Sequence, residues 1–466
     1  MKTEKKNRLT LKLPRQKACS RVLGRQIPIC FRRVLLMGLI LAAGLSPLAA
    51  QDFGFGFDGG DQGEAFDGKG GNAIRVSIGG EVSASLLGFV DDLADGAGHT
   101  QLGDIFSGRL NFSAETSRAR GIINLKLSPS TLPLIIDEAY LCAYFGSFDL
   151  EAGLRKLTWG KADSFGPLDV VNPLDYSDLS GMNDVMSLKI ARPLVHASLR
   201  FGRFSKLEAL FVPGFESLRF AKEGRWIPVQ FASLPPGIRP TEPDTRTLNY
   251  SQAGLRFTTT IGSSDMGAQY YYGRLPLPSF SFSFVPPQPF PSAIDIDYNR
   301  YHQMGVDFAR IVAGFNIRVE FAANLTEDLD GGDGRIYNPH LAWSFGFDRD
   351  LFWKINANIQ AVETIILLHS KTGDNPLFDI EAGKDITSTR ITAKLARTFF
   401  RDELEIALAA LWGIEDLDCL VMPGLTWTKE DLKAELSGGI FAGPEEGQLG
   451  QYRGNSFVRI RITYTF

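Results

Sequence analysis

The chain has 466 residues, with 49 Lys+Arg against 53 Asp+Glu and a formal net charge of −4. Residues 1–33 carry eleven of the basic groups and one acid, so residues 51–466 hold 38 basic and 52 acidic groups, a net of −14. That balance argues against nucleic acid as a partner. A mean hydropathy of −0.04, with only one long apolar run, excludes a polytopic α-helical membrane protein.

In chain order, the apolar run comes first. Val34–Leu45 is twelve apolar or small residues behind Arg32 and Arg33, short of the roughly 20 that a spanning helix needs. Ser46-Pro47 breaks it, and Leu48-Ala49-Ala50 offers small residues for cleavage before Gln51. Residues 1–50 therefore read as a secretory signal peptide. The alternatives are an uncleaved inner-membrane anchor and a start nearer Met37. Residues 51–72 form a Gly/Asp-rich lead-in, too short for a folded plug domain. Its Gly54-Phe-Gly56-Phe-Asp-Gly59 fits a dinucleotide fingerprint, but no strand–helix unit surrounds it. Of the four cysteines, Cys19 and Cys30 leave with the signal. Cys142 and Cys419 read as wall residues, with a disulfide between them as the alternative.

From residue 73 to 466 the dominant signal has period two. Val76, Ile78, Val82 and Leu86 alternate with Ser77, Gly79, Glu81 and Ser85; Ile406, Leu408 and Ala410 alternate with Glu405, Ala407 and Ala409. Such segments recur about every 23 residues, and short links alternate with long ones, as in membrane barrels with short periplasmic turns and long outer loops. Aromatics such as Tyr270, Tyr272, Trp343, Trp353, Trp412 and Trp427 gather near segment ends, where an interfacial girdle would put them. Nineteen segments would put loop 157–184 on the wrong side. Joining Val185–Arg192 to Val195–Gly202 through a bulge at Pro193 gives eighteen. The expectation is an all-β, transmembrane, antiparallel up-and-down barrel of about 18 strands, with 16 as the alternative.

The chain ends Val458-Arg-Ile460-Arg-Ile462-Thr-Tyr464-Thr-Phe466. The apolar alternation closing on Phe466, with Tyr464 two before it, resembles the C-terminal signal of bacterial outer-membrane barrels. The resemblance implies that the barrel-assembly machinery reads this strand. A second element runs Glu138-Ala139-Tyr140, then Gly153-Leu154-Arg155, Trp159-Gly160-Lys161-Ala162-Asp163, then Asn172-Pro173-Leu174-Asp175. It resembles a signature of uncharacterised outer-membrane barrels of proteobacteria and spirochaetes, porin-like in outline, although Leu154 interrupts the Gly-Arg pair. It implies a structured loop after the fifth strand and carries no activity. Trp159 then reads either as a girdle aromatic or as part of a loop, 157–184, that folds inward and narrows the lumen.

The wall away from lipid should be polar, and eighteen strands enclose a water-wide lumen unless it is plugged. Pore-lining and constriction candidates are Arg155, Arg200, Arg109, Arg256, Arg318, Arg390, Glu81 and Glu320, charged residues at inward positions of the strands. Arg155 and Arg200 are the candidates for the narrowest zone, because loop 157–184 joins their strands. Mid-wall basic residues outnumber acidic ones, which points to weak anion preference. The function expected is passive diffusion of small polar solutes through the outer membrane of a diderm bacterium. The alternatives are a carrier of hydrophobic compounds, prompted by the Phe- and Pro-rich loop 274–291, and a surface scaffold or adhesin. The partners expected are outer-membrane lipid, the assembly machinery and small solutes. No enzyme, cofactor or metal is expected: Asp328, Asp330 and Asp333 lack the spacing of a calcium loop, no G-x-S-x-G occurs, and five histidines form no ligating pair.

Overall fold

The structure, a computed structural model, describes residues 74–94, 105–128, 134–182, 184–229, 240–285 and 291–466. The signal peptide and lead-in expected over 1–72 lie outside these residues.

Eighteen strands pair antiparallel in chain order: β1 (Arg75–Phe89), β2 (Phe106–Glu115), β3 (Ala119–Leu127), β4 (Ile135–Phe145), β5 (Phe148–Arg155), β6 (Arg192–Phe201), β7 (Ser205–Val212), β8 (Gln252–Ile261), β9 (Ser264–Arg274), β10 (Arg300–Val312), β11 (Phe315–Thr326), β12 (His340–Asp350), β13 (Asn356–Ile366), β14 (Thr387–Phe399), β15 (Leu404–Gly413), β16 (Asp418–Lys429), β17 (Leu432–Ala442) and β18 (Phe457–Thr465). The last strand returns to the first, with Val82 opposite Tyr464 and Leu86 opposite Ile460, so the sheet is a closed up-and-down barrel. Closure removes the unpaired edge that an open sheet would expose. At the seam Gly80 and Phe466 exchange both backbone hydrogen bonds at 2.9 Å. A Cβ at Gly80 would lie 2.4 Å from the Arg109 carbonyl oxygen and 2.9 Å from the Phe466 ring, so the glycine serves both the close approach of β2 and the terminal aromatic.

Period-two alternation becomes two faces. Val76, Ile78, Val82 and Leu86 on β1, Met304 and Val306 on β10, and Val458, Ile460, Ile462 and Tyr464 on β18 are exposed on the outside. Their neighbours in sequence turn inward. A continuous apolar exterior is costly in water and matched in lipid.

Eight turns of two to five residues lie at one end and nine connections, most of them much longer, at the other. Two connections at the long end are short, 128–134 and 414–417, so the length alternation is looser than the sequence spacing implies.

The strand count agrees with the expected eighteen, but two local readings do not. Val185–Leu188 is a helical turn, not the first half of a strand. The Asp184 carboxylate accepts the backbone N–H groups of Met186 and Ser187, the N-cap arrangement that starts a helix. Pro193 sits within β6 opposite Leu154, with no bulge there. Trp353 belongs to the turn 351–355, with φ of 60°, and β13 begins only at Asn356. Finally, no disulfide joins Cys142 to Cys419. Cys142 follows the outward-facing Leu141 and turns inward, whereas Cys419 pairs with the outward-facing Trp412.

The Phe-rich segment forms a hairpin, Ser279–Phe284 against Pro291–Asp297, rather than a loose apolar loop. It packs on the chain's own outer connections: Tyr337 donates to the Pro278 carbonyl at 2.9 Å, and Phe284 lies 6.0 Å from Phe378.

Candidate functional site: the lumen and its inward loop

Connection 156–191 leaves β5 and enters the barrel. Its stem is clamped by two side chains. The Glu138 carboxylate accepts Lys156 N–H (2.9 Å) and Asn124 Nδ2 (3.0 Å). Asn172 Oδ1 accepts Leu157 N–H (2.7 Å), while its Nδ2 donates to the carbonyls of Arg155 (3.0 Å) and Ile190 (2.8 Å). One asparagine thus ties the loop's outgoing and returning limbs together. Pro173 continues the clamp by accepting Ile190 N–H through its carbonyl.

The outgoing limb docks along the inner face of β8–β14. Trp159 is 2% exposed and meets Tyr271 edge-on, with ring centroids 6.3 Å apart. Gly254 lies beneath it, where a Cβ would be 2.6 Å from the indole. Gly160 has φ of +96°, and a Cβ there would sit 2.3 Å from the Glu320 carboxylate. Both constraints demand glycine. Glu320 accepts the backbone N–H groups of Lys161, Ala162 (2.8 Å) and Leu168 (3.3 Å), a carboxylate held in a cradle of amides. Gln360 accepts Asp163 N–H and donates to the Phe165 carbonyl, both at 2.9 Å. Gln269 and Gln303 donate to the carbonyls of Leu168 (2.9 Å) and Pro167 (3.0 Å). The Asp163 carboxylate accepts from Arg318 and from Asn358 (2.9 Å). These bonds pair the backbone polar groups of an irregular segment buried in the barrel, which is how such a segment is tolerated there.

Behind the loop, Lys189 reaches Asp169 at 2.6 Å and Thr158 at 2.7 Å. Burial pushes the Asp169 carboxyl up, and Lys189 opposes it. The returning limb crosses to the other side. Leu179, Met182 and Leu188 pack with Phe89, Leu411, Leu420, Phe441 and Phe457 from the outer ends of β1 and β15–β18. Trp226, Leu449 and Tyr452 of other connections complete that cluster.

The predicted charged residues fall at five places. Arg256, Arg318 and Glu320 sit behind or against the loop. Arg256 bonds Asp307 and Gln269, both at 2.5 Å, in a nearly dry cluster, and Glu320 is 1% exposed. Arg200 lies far from the loop, at the short-turn end of β6, paired with Asp149. The expectation that loop 157–184 presses on both Arg155 and Arg200 is therefore corrected: the loop leaves from the Arg155–Arg192 end of those strands and turns away from the other. Arg390 pairs with Asp416 at 2.6 Å near the outer rim. Arg155, over the Tyr140 ring at 4.8 Å, pairs with Glu151, which also contacts His196 at 2.7 Å. Arg109 faces Glu81 across β1 and β2 at 3.4 Å, with nearly half its side chain exposed.

Of the motif residues, Trp159, Gly160, Asp163, Asn172 and Pro173 all serve the docking. Asp175 pairs with Arg219 at 2.9 Å. Trp159 is thus interior, not a girdle aromatic. Gln269, Gln303, Gln360 and Gly254 are not among the residues expected from the sequence, nor is Gly305, where a Cβ would lie 2.2 Å from Leu168 of the loop. Their signal was weak: glutamine and glycine at inward positions of neighbouring strands.

Among the described residues the inner wall is covered unevenly. On β8–β13, Gln269, Gln303, Glu320 and Gln360 are between 1% and 6% exposed. On β1 and β2, Arg75, Arg109 and Asn111 are exposed, as are Lys394 and Thr398 toward the turn end of β14.

No family model matches the chain, and no curated protein matches its sequence. Solved structures match in overall shape only. Wzi of Escherichia coli, described as a carbohydrate-binding β-barrel of capsule assembly, is 11% identical, with 84% of each chain covered and a TM-score of 0.45. Pseudomonas aeruginosa OccK9 is 10% identical, with 84% of this chain and 98% of that one covered and a TM-score of 0.47. Salmonella typhi OmpF is 8% identical, with 85% and 98% covered and a TM-score of 0.39.

Proposed function

We infer that the chain is an outer-membrane channel for passive diffusion of small polar solutes, with a weak preference for anions. The observation that carries this reading is the uneven cover of the lumen. The inward loop coats β8–β13 and leaves the polar inner faces of β1–β5, and of β14–β18 near the turns, without a covering segment among the described residues. The outer surface is the apolar face that lipid requires, and the short turns lie at the end where β1 begins and β18 finishes, which this reading takes as the periplasmic side.

Charge along the uncovered side gives the direction of the preference. On and beside β1–β5 most charges are paired, with one lysine in excess: Glu81 with Arg109, Asp137 between Lys126 (2.9 Å) and Lys156 (2.8 Å), and Glu151 with Arg155. On β14–β18, Lys394 and Arg461 enter no ion pair among the described residues, although Glu435 lies opposite Arg461 in register, while Arg459 sits nearer the outer end and meets Ser180 Oγ of the inward loop at 3.5 Å. Glu435 is itself taken by Lys433 at 2.8 Å. The surplus there is positive, and low-dielectric walls focus its field.

The test is the reversal potential of single channels in a KCl gradient. A modest anion-selective potential that moves toward zero when Lys394 and Arg461 are replaced by Gln supports the reading. Cation selectivity at high salt contradicts the preference, and absence of any current contradicts the channel and favours a scaffold.

A further inference from the structure

Connection 213–251 leaves β7 and returns at β8, yet its first limb is anchored on the far side of the barrel. Phe215 holds the root. Its ring lies 4.6 Å from that of Tyr298, and its N–H donates to the Thr245 carbonyl at 3.0 Å. Midway, Arg219–Phe220 pairs in parallel with Asp175–Tyr176 of the inward connection, with the Tyr176 and Phe220 rings 6.0 Å apart. Trp226 then reaches the opposite rim. Its indole lies 5.9 Å from Phe89 at the outer end of β1, 5.6 Å from Phe441 on β17, 6.4 Å from Phe457 on β18 and 5.8 Å from Tyr452 of connection 443–456. By the shorter way round the ring of eighteen strands, β17 is eight strands from β7, so the limb crosses the outer mouth.

The attachment at that rim is made by side chains. Arg225 pairs with Asp92, just beyond β1, and lies over the Phe89 ring at 4.6 Å. Asn455 Nδ2 donates to the Arg225 carbonyl at 2.7 Å, and Val229 N–H donates to Gln451 Oε1 at 3.0 Å. Among the described residues no backbone-to-backbone hydrogen bond ties 221–228 to the barrel, so releasing this latch opens no strand. A hinge lies beside it. Lys222, Glu223 and Gly224 are exposed, Gly224 has φ of +85°, and a Cβ there would meet nothing within 4 Å. What the latch covers is apolar: Trp226 packs in one buried cluster with Leu411, Leu420 and Phe441 from the inner face of β15–β17. Keeping that surface from water favours the latched form. We propose that limb 213–229 is a lid over the outer mouth, hinged at 222–224 and latched by Arg225 and Trp226. Latched, it roofs the outer ends of β15–β18 and β1 and leaves entry beside β2–β5; released, it opens both sides. Its effect on current rests on the channel reading above, whereas the latch itself does not.

The test uses the full chain with Cys142 and Cys419 replaced by Ser. Trp226→Ala releases the latch, and Arg225→Gln is the milder release should the first variant fail to fold. Val229→Cys with Gln451→Cys, bridged by a short bismaleimide, holds it shut. Two readouts are taken. Leu411→Cys, in the cluster under the lid, is labelled by a bulky charged maleimide in detergent micelles, with and without each release substitution. Single-channel current in planar bilayers is recorded for the release variants and for the cross-linked pair, with each single cysteine treated alike as a control. Release should speed labelling of Leu411→Cys at least tenfold and raise the mean current at least twofold. The cross-link should lower the current below the native value, and the single cysteines should not. A chain that passes no current yet labels faster on release supports the lid and counts only against the channel. Equal labelling in every folded form, a current that responds to neither release nor the cross-link, or one that the cross-link raises overturns the proposal.

Discussion

At the scale of single residues, the inward loop hangs on a small number of side chains. Glu320 takes three backbone N–H groups, and Gly160 leaves the space for its carboxylate. Losing acceptor capacity there strands buried donors at about 1–3 kcal/mol each. Glu320→Ala and Gly160→Ala should each loosen the loop while leaving the barrel closed. In planar bilayers, both variants should show larger or noisier current steps than the native chain; unchanged steps would mean the loop is held elsewhere. Arg256 and Asp307 form the driest ion pair of the wall. Arg256→Ala leaves Asp307 charged and buried, so barrel stability should fall by about 3–5 kcal/mol, read from urea unfolding in micelles. A negligible change would show that water reaches the site. The motif residues were legible as a group because Trp-Gly-x-x-Asp and Asn-Pro-x-Asp are unusual combinations. Their partners were not, because Gln269, Gln303 and Gln360 look like any inward polar position. Alternation gives the face of a residue and not what covers it.

At the scale of elements, alternation carried the strands. β15 illustrates it: Leu411 is buried inside and Trp412 is exposed outside, which places Leu408 on the lipid face and Glu405 on the lumen face. Leu408→Arg should cost about 2–4 kcal/mol of folding free energy in bilayers near the midplane, whereas Glu405→Gln should be nearly neutral. Equal costs would reverse the faces. Alternation failed where another local signal competed. At 185–188 the apolar spacing fits two periods, and the Asp184 cap selects the helical one. At Trp353 a positive φ makes a turn of residues that alternate well enough to pass for a strand. The closing seam permits a further test. Phe466 completes the pairing with Gly80, so deletion of Phe466 should lower the heat-modifiable barrel in the outer-membrane fraction without blocking export across the inner membrane. Gly80→Val, which fills the space under the Phe466 ring, should slow folding in vesicles that contain no assembly machinery. Because a Cβ at Gly80 also meets the Arg109 carbonyl at 2.4 Å, the ring's share is read by adding Phe466→Ala: the same slowing with and without the ring would mean the ring does not need this seat.

At the scale of the whole molecule, the barrel is a closed apolar-skinned cylinder whose inside is divided by one loop. The division could not be read from composition: the excess of mid-wall arginines is real, but Arg256 and Arg318 spend their charge on Asp307 and Asp163, and Arg200 lies at the rim. What the loop leaves uncovered is the side formed by β1–β5 and the turn-proximal parts of β14–β18, and on the channel reading proposed above this is the solute path. Cysteine modification under current tests this most directly. With Cys142 and Cys419 replaced by Ser, a cysteine is placed either at Asn111, exposed on the uncovered side, or at Gln303, 1% exposed behind the loop. A bulky charged thiol reagent is then added to an open channel in a planar bilayer. A clear drop in single-channel current for Asn111→Cys, with none for Gln303→Cys, is the predicted result. Block at Gln303→Cys with none at Asn111→Cys, or no current before the reagent is added, would contradict it.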